Sequence, residues 1–96
     1  MAKVYLVYEK YYNNSEWTTV VETDIVKVFD TEAKAVNYIR ETVKGDHERF
    51  DSQGAKNVRK YDWDENRVRE GHEICSFEDY QYHEAVAYMY KSYDVE

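Results

Sequence analysis

The stretch DWDENRVREGHE places Asp62, Asp64, Asn66, Glu70 and Glu73 at offsets 1, 3, 5, 9 and 12. Oxygen donors at those offsets are what a calcium-binding loop supplies, gathering about six to eight oxygens and ending on a two-oxygen Glu. The position where such a loop must turn sharply holds Arg67 instead of glycine, and Arg69 adds a second cation inside it. Neither flank shows an amphipathic helix. The pattern therefore reads as a solvated acidic loop, or a helical turn with Glu65 paired to Arg69, and not as an ion site. His72 and Cys75 form an H-x-x-C pair, but a structural zinc site would also need His47 and His83, which are remote in the chain. Cys75, between Ile74 and Ser76, reads as a small buried apolar residue and not as a nucleophile with a histidine base. The three glycines are scattered, so no phosphate-cradling loop exists, and G-x-S-x-G and H-E-x-x-H are absent. These readings predict no enzyme, no metal and no cofactor.

What is left is carboxylate interleaved with phenol. Residues 1–61 carry ten basic and ten acidic side chains, so the whole net charge of −7 belongs to residues 62–96. Charge of one sign at one end of a chain concerns partners and solubility. It argues against direct nucleic-acid binding, which needs Lys and Arg to neutralise phosphate. It suits a basic protein partner, because a carboxylate offers a guanidinium the same two-oxygen acceptor that a phosphate does. Tyrosine occurs eleven times, and its ring with a polar tip is a favoured interface anchor. The candidate partner-binding residues are Asp62, Asp64, Glu65, Glu70, Glu73, Glu78, Asp79, Tyr80, Tyr82 and Glu84. The plainer alternative is an ordinary soluble acidic face.

These residues must be positioned by a small scaffold. At 96 residues with 43% hydrophobic side chains, the chain is expected to form one domain, 1–96, with a modest core. No apolar run approaches the roughly 20 residues of a membrane span. Met1-Ala2-Lys3 leads directly into a strand pattern without a signal peptide, and a lone cysteine favours a reducing, cytoplasmic setting. KVYLVYEKYY alternates at period two with apolar groups on both faces, which predicts a central strand. NNSE at 13–16 is turn chemistry, and WTTVVETDIVKVFD is a second strand with a bend or bulge at Thr23-Asp24. FDTEAKAVNYIRETVKG predicts a helix capped by Asp30 or Thr31, striped by Ala35, Ile39 and Val43, and closed at Gly45. Residues 46–60 read as an exposed loop and HEICSF as a short strand. HEAVAYMYKSYDVE reads as a closing strand, with a helix starting at Ser76 as the rival. The expected class is α+β: a mostly antiparallel sheet of order β-β-α-…-β with one main helix on one face.

KVYLVYEKYYNN, then VFDTEAKAVNYI, then a closing strand rich in Tyr and acid, resembles small proteins common in phages and other mobile elements. Their loose plan is strand, strand, F-x-T-x-E-x-A helix, strand. The likeness covers residues 3–43 and 84–95, and the segment 46–83 departs from it. Some small acidic phage proteins inhibit host defence nucleases, the anti-CRISPR proteins among them. The resemblance itself implies no chemistry; that analogy, taken with the localised negative charge and the tyrosines, leads to the expectation of an inhibitor, working in the host cytoplasm, that occupies the basic groove of a nucleic-acid-binding protein such as a Cas effector. The alternative is a structural or regulatory module acting as a homodimer, with residues 84–95 as the pairing edge.

Overall fold

Period-two alternation in residues 2–14 and 19–29 builds two long antiparallel strands, β1 (Ala2–Asn14) and β2 (Thr19–Phe29). The computed structural model describes residues 2–14 and 19–95. After β2 the chain enters α1 (Glu32–Gln53), then β3 (Val58–Lys60), a 3-10 turn (Glu65–Arg67), β4 (Ile74–Asp79) and β5 (Glu84–Val95). The sheet order is β2-β1-β5-β4-β3, and every neighbouring pair is antiparallel. The fold is α+β, a five-stranded antiparallel sheet with one helix packed on one face. β1 is an interior strand, between β2 and β5, while the middle of the sheet is β5 and not β1 as its two-sided apolar pattern suggested. No helix among the described residues is long and apolar enough to cross a membrane.

Thr31 caps α1, its Oγ1 accepting from the Lys34 amide at 3.2 Å. The helix then runs well past Gly45, so the loop expected over 46–60 is mostly helix. Two features carry it on. The apolar stripe Ala35, Ile39, Val43 extends to Phe50, whose ring packs on Phe77 at 4.6 Å. Between Val43 and Phe50 the stripe turns polar, and there β4 supplies partners: Ser76 Oγ donates to Asp46 at 2.8 Å, and His47 Nε2 to the Ser76 carbonyl at 2.8 Å. Closure comes at Gly54 with φ 63°, a left-handed position glycine takes without strain.

Core residues Val7, Phe77, Val86, Tyr88 and Tyr90 meet Ala35, Ile39 and Val43 on the helix side of the sheet. Alternation puts Leu6, Tyr8, Lys10 and Tyr12 of β1, and Ala85, Ala87 and Met89 of β5, on the other face, which no helix or second sheet covers among the described residues, although Ala87 and Met89 in its middle are buried. Residues 84–95 form a strand and not the rival helix. That strand is flanked by β1 and β4, so it is no edge, and the dimer edge expected there does not exist. The sheet ends instead at β2 and β3. In β2 the register shifts between Ile25 and Lys27, so the bulge lies at Val26 and not at Thr23-Asp24. The turn expected at 13–16 reaches into residues 15–18, which lie outside the described residues, as do Trp17 and Thr18 of the expected second strand.

Candidate functional site

Each candidate carboxylate has a partner or a place that sequence spacing could not show. Asp64 caps the 3-10 turn by accepting from the Asn66 amide at 3.0 Å. Glu65 takes Trp63 Nε1 at 2.8 Å and Arg40 at 3.3 Å, not Arg69. Glu70 accepts from the Ser92 amide and hydroxyl at 2.6 and 2.8 Å, and those bonds hold its carboxyl below the usual range. Glu73 accepts from Tyr12 and pairs with Lys10 at 3.1 Å. The calcium pattern is therefore dispersed over separate partners. Among the described residues no group of three or more His, Cys, Asp or Glu is placed to hold a metal ion.

The ten candidates do not form one patch. Glu70 and Glu84 mark opposite ends of β5, roughly 26 Å apart at about 3.3 Å per residue. Asp62, Asp64 and Glu73 line one hollow with Tyr61, Arg67 and Cys75. Glu78, Asp79, Tyr80 and Glu84 line a second, at the β4–β5 turn, with Tyr12 and His83. Tyr82 projects from the same turn, 61% exposed. Asp79 builds this turn by accepting from the Gln81 amide at 2.9 Å and the Tyr82 amide at 3.4 Å. His83 closes it with φ 55°, a left-handed conformation that strains a non-glycine residue. The His83 carbonyl latches onto the Asn14 amide of β1 at 2.9 Å. Tyr12 and Asn14 enter because Tyr12 pairs with Ala85 across the sheet. That is a tertiary register with no local sequence signal. On the far side, Arg59 opposes Glu78 on β3 and stacks 4.8 Å over Tyr61.

Phenol-to-carboxylate bonds recur through the molecule: Tyr12 to Glu73, Tyr61 to Glu78, Tyr11 to Glu84, Tyr88 to Asp46. Each phenol fixes its carboxylate by donating a hydrogen bond to it. A proton lost from such a phenol would set two negative charges together, so those bonds push Tyr12 and Tyr61 each up to about 12. Tyr8 is raised by its bond to Tyr93, Tyr11 by Glu84, and Tyr88 and Tyr90 mainly by burial. For a group whose pKa rises on folding, the stability it contributes is whole below its unfolded value of about 10 and is lost as pH climbs towards about 12. Phenolate absorbance followed with far-ultraviolet dichroism should show ionisation of these tyrosines and loss of sheet signal together in that window. Their free titration near pH 10 with the fold intact would contradict the bonding described.

Asp46, His47 and Ser76 share the composition of a nucleophilic triad without its wiring. Ser76 donates to Asp46, His47 meets only the Ser76 carbonyl, and Ser76 is 0% exposed beneath α1. Burial also pushes the half-buried Cys75 thiol up to about 11, away from the reactive thiolate. Neither protein-family models nor curated proteins nor solved structures give a match to this chain.

Proposed function

We propose that this chain is a non-catalytic binding module that docks its β4–β5 turn on an arginine- and lysine-lined groove. Such grooves belong to proteins that handle nucleic acid, and the module would act there as an inhibitor of the anti-defence, anti-CRISPR type in the host cytoplasm. The observation that supports this reading most is that Glu78, Asp79, Tyr80 and Glu84 line one open hollow at the tip of the sheet, Glu78 on the uncovered face beside Tyr61 and Glu84 on the helix side beside Tyr11, with Tyr82 projecting from the same turn. Tyr61 and Tyr11 hold two of the carboxylates in place before a partner arrives. Preorganised acceptors lose less side-chain freedom on binding, which raises affinity. Two exposed phenols and the strained His83 at the tip fit a contact surface better than a simple connection.

The test uses a purified Cas effector loaded with guide, titrated with the chain at several salt concentrations. Binding should weaken as salt rises, since exposed charges are screened over about 8 Å at physiological ionic strength. A Glu78→Lys, Glu84→Lys variant should lose at least about tenfold, equivalent to about 1.4 kcal/mol. Glu41→Lys with Asp94→Lys makes the same change in net charge away from the turn and should bind almost as well as the parent. Equal losses in the two variants would reduce the effect to overall charge and remove the proposed surface.

A further inference from the structure

The sheet has two edges, and they differ. β3 is three residues long, whereas β2 runs eleven residues without proline. Among the described residues, no other strand pairs with the outer edge of β2. A long open edge presents main-chain donors and acceptors to any strand that fits. Four of the eight large apolar side chains left exposed among the described residues belong to β2: Val20 at 47%, Val21 at 49%, Ile25 at 58% and Val28 at 55%.

We infer that β2 pairs antiparallel with β2 of a second copy about a two-fold axis through Asp24, joining the two five-stranded sheets into one. The support is complementarity in charge and face. The register against β1 aligns Phe29, Lys27, Asp24, Glu22 and Val20 with the helix-side residues Tyr5, Val7, Glu9, Tyr11 and Asn13. It aligns Val28, Ile25, Thr23 and Val21 with Leu6, Tyr8, Lys10 and Tyr12 of the uncovered face. Val26 is the extra residue of the bulge and turns to the core. Counting along these rungs from Asp24, Lys27 falls opposite the second copy's Glu22 and Phe29 opposite its Val20, all on the helix side. Val28 falls opposite the second copy's Val21 and Ile25 opposite its Thr23, all on the uncovered face. Each of these contacts occurs twice by symmetry, as an isologous interface requires.

Neighbouring registers fit worse. An axis through Ile25 pairs Lys27 with the second copy's Asp24, but it sets Phe29 against the second copy's Glu22 and carries Val20 and Val21 past the end of its β2, so most of the apolar matching is lost. An axis through Thr23 sets Asp24 against the second copy's Glu22 and strands Lys27 on its Val20. In the favoured register the one fault is Asp24 meeting its own copy on the axis, with a Lys27 of each chain two rungs away. Directly opposed like charges weaken a strand pair. The pairing is therefore concentration-dependent and tunable, and it uses a surface independent of the acidic turn.

Sedimentation equilibrium of the full chain across concentration should show a dimer. Lys27→Glu and Glu22→Lys should each weaken it by about fivefold or more, because each opposes like charges at two symmetric contacts, and the double exchange should restore it. Asp24→Asn should tighten it by about two- to fivefold. In a Cys75→Ser background, Asp24→Cys should oxidise to a disulfide-linked dimer and Ile25→Cys should not, since only residues on the axis meet their own copies. A chain that stays monomeric at millimolar concentration overturns the inference. So does a dimer indifferent to the Lys27 and Glu22 exchanges.

Discussion

Asp46→Ala is expected to remove about 3 kcal/mol of folding stability, one of the two largest single-residue effects foreseen for this chain. Asp46 Oδ2 accepts from Ser76 Oγ at 2.8 Å and from the Tyr88 hydroxyl at 2.9 Å. Its side chain is only 14% exposed, while Ser76 is 0% and Tyr88 5% exposed. Alanine would leave two donors beneath α1 with no acceptor, and a buried unpaired polar group costs about 1–3 kcal/mol. In a domain of this size such a loss lowers Tm by about 15 °C. Urea unfolding should show the midpoint falling while its slope stays constant. Adding Tyr88→Phe to Asp46→Ala should return part of the loss, because it deletes one orphaned donor. A fall below about 1 kcal/mol for Asp46→Ala would mean that the helix does not depend on this acceptor.

Ile39→Ala should cost about 3–4 kcal/mol by a different route. Ile39 is 0% exposed at the middle of α1, between Ala35 and Val43 and against a core that includes Val7 of β1. Removing its branched end forfeits burial and leaves a void that a helix anchored on both sides cannot close. Ile39→Val, which removes one methylene, should cost about 1 kcal/mol, and Val28→Ala on the uncovered face within about 0.5 kcal/mol. Total stability for a chain of this length is about 5–14 kcal/mol, so Ile39→Ala should bring the domain close to unfolding at 37 °C. Equal effects at Ile39 and Val28 would contradict the assignment of one covered and one open face.

Both residues show how far the sequence could be read. Ile39 belongs to a stripe visible at helical spacing, and the helix start, β1 and β4 are legible for the same reason, because hydrophobic periodicity is a local record of which face is buried; β5 is less so, since His83, Ala87 and Tyr90 also fit a helical stripe. The second half of α1 was not legible. There the stripe passes through Asp46 and His47, polar residues that suggest a surface until Ser76 and Tyr88, some thirty and forty positions away, are seen to meet them. The Val26 bulge was misplaced at Thr23-Asp24 for a related reason: a bulge is a relation between two strands, and only Val7 and Tyr8 of β1 show which residue is extra.

By itself the sequence determined the composition of the surface chemistry and the α+β class. It determined these because charge, periodicity and propensity belong to residues and their near neighbours. The tertiary structure alone decided which carboxylates meet. It sent Glu70 to Ser92 and Glu73 to Tyr12, gathered Glu78, Asp79, Tyr80 and Glu84 at one turn, and made β2 the long free edge in place of residues 84–95. Strand order and register are set by pairings between distant segments, whose stability depends on the whole buried face, and no short stretch of chain encodes them.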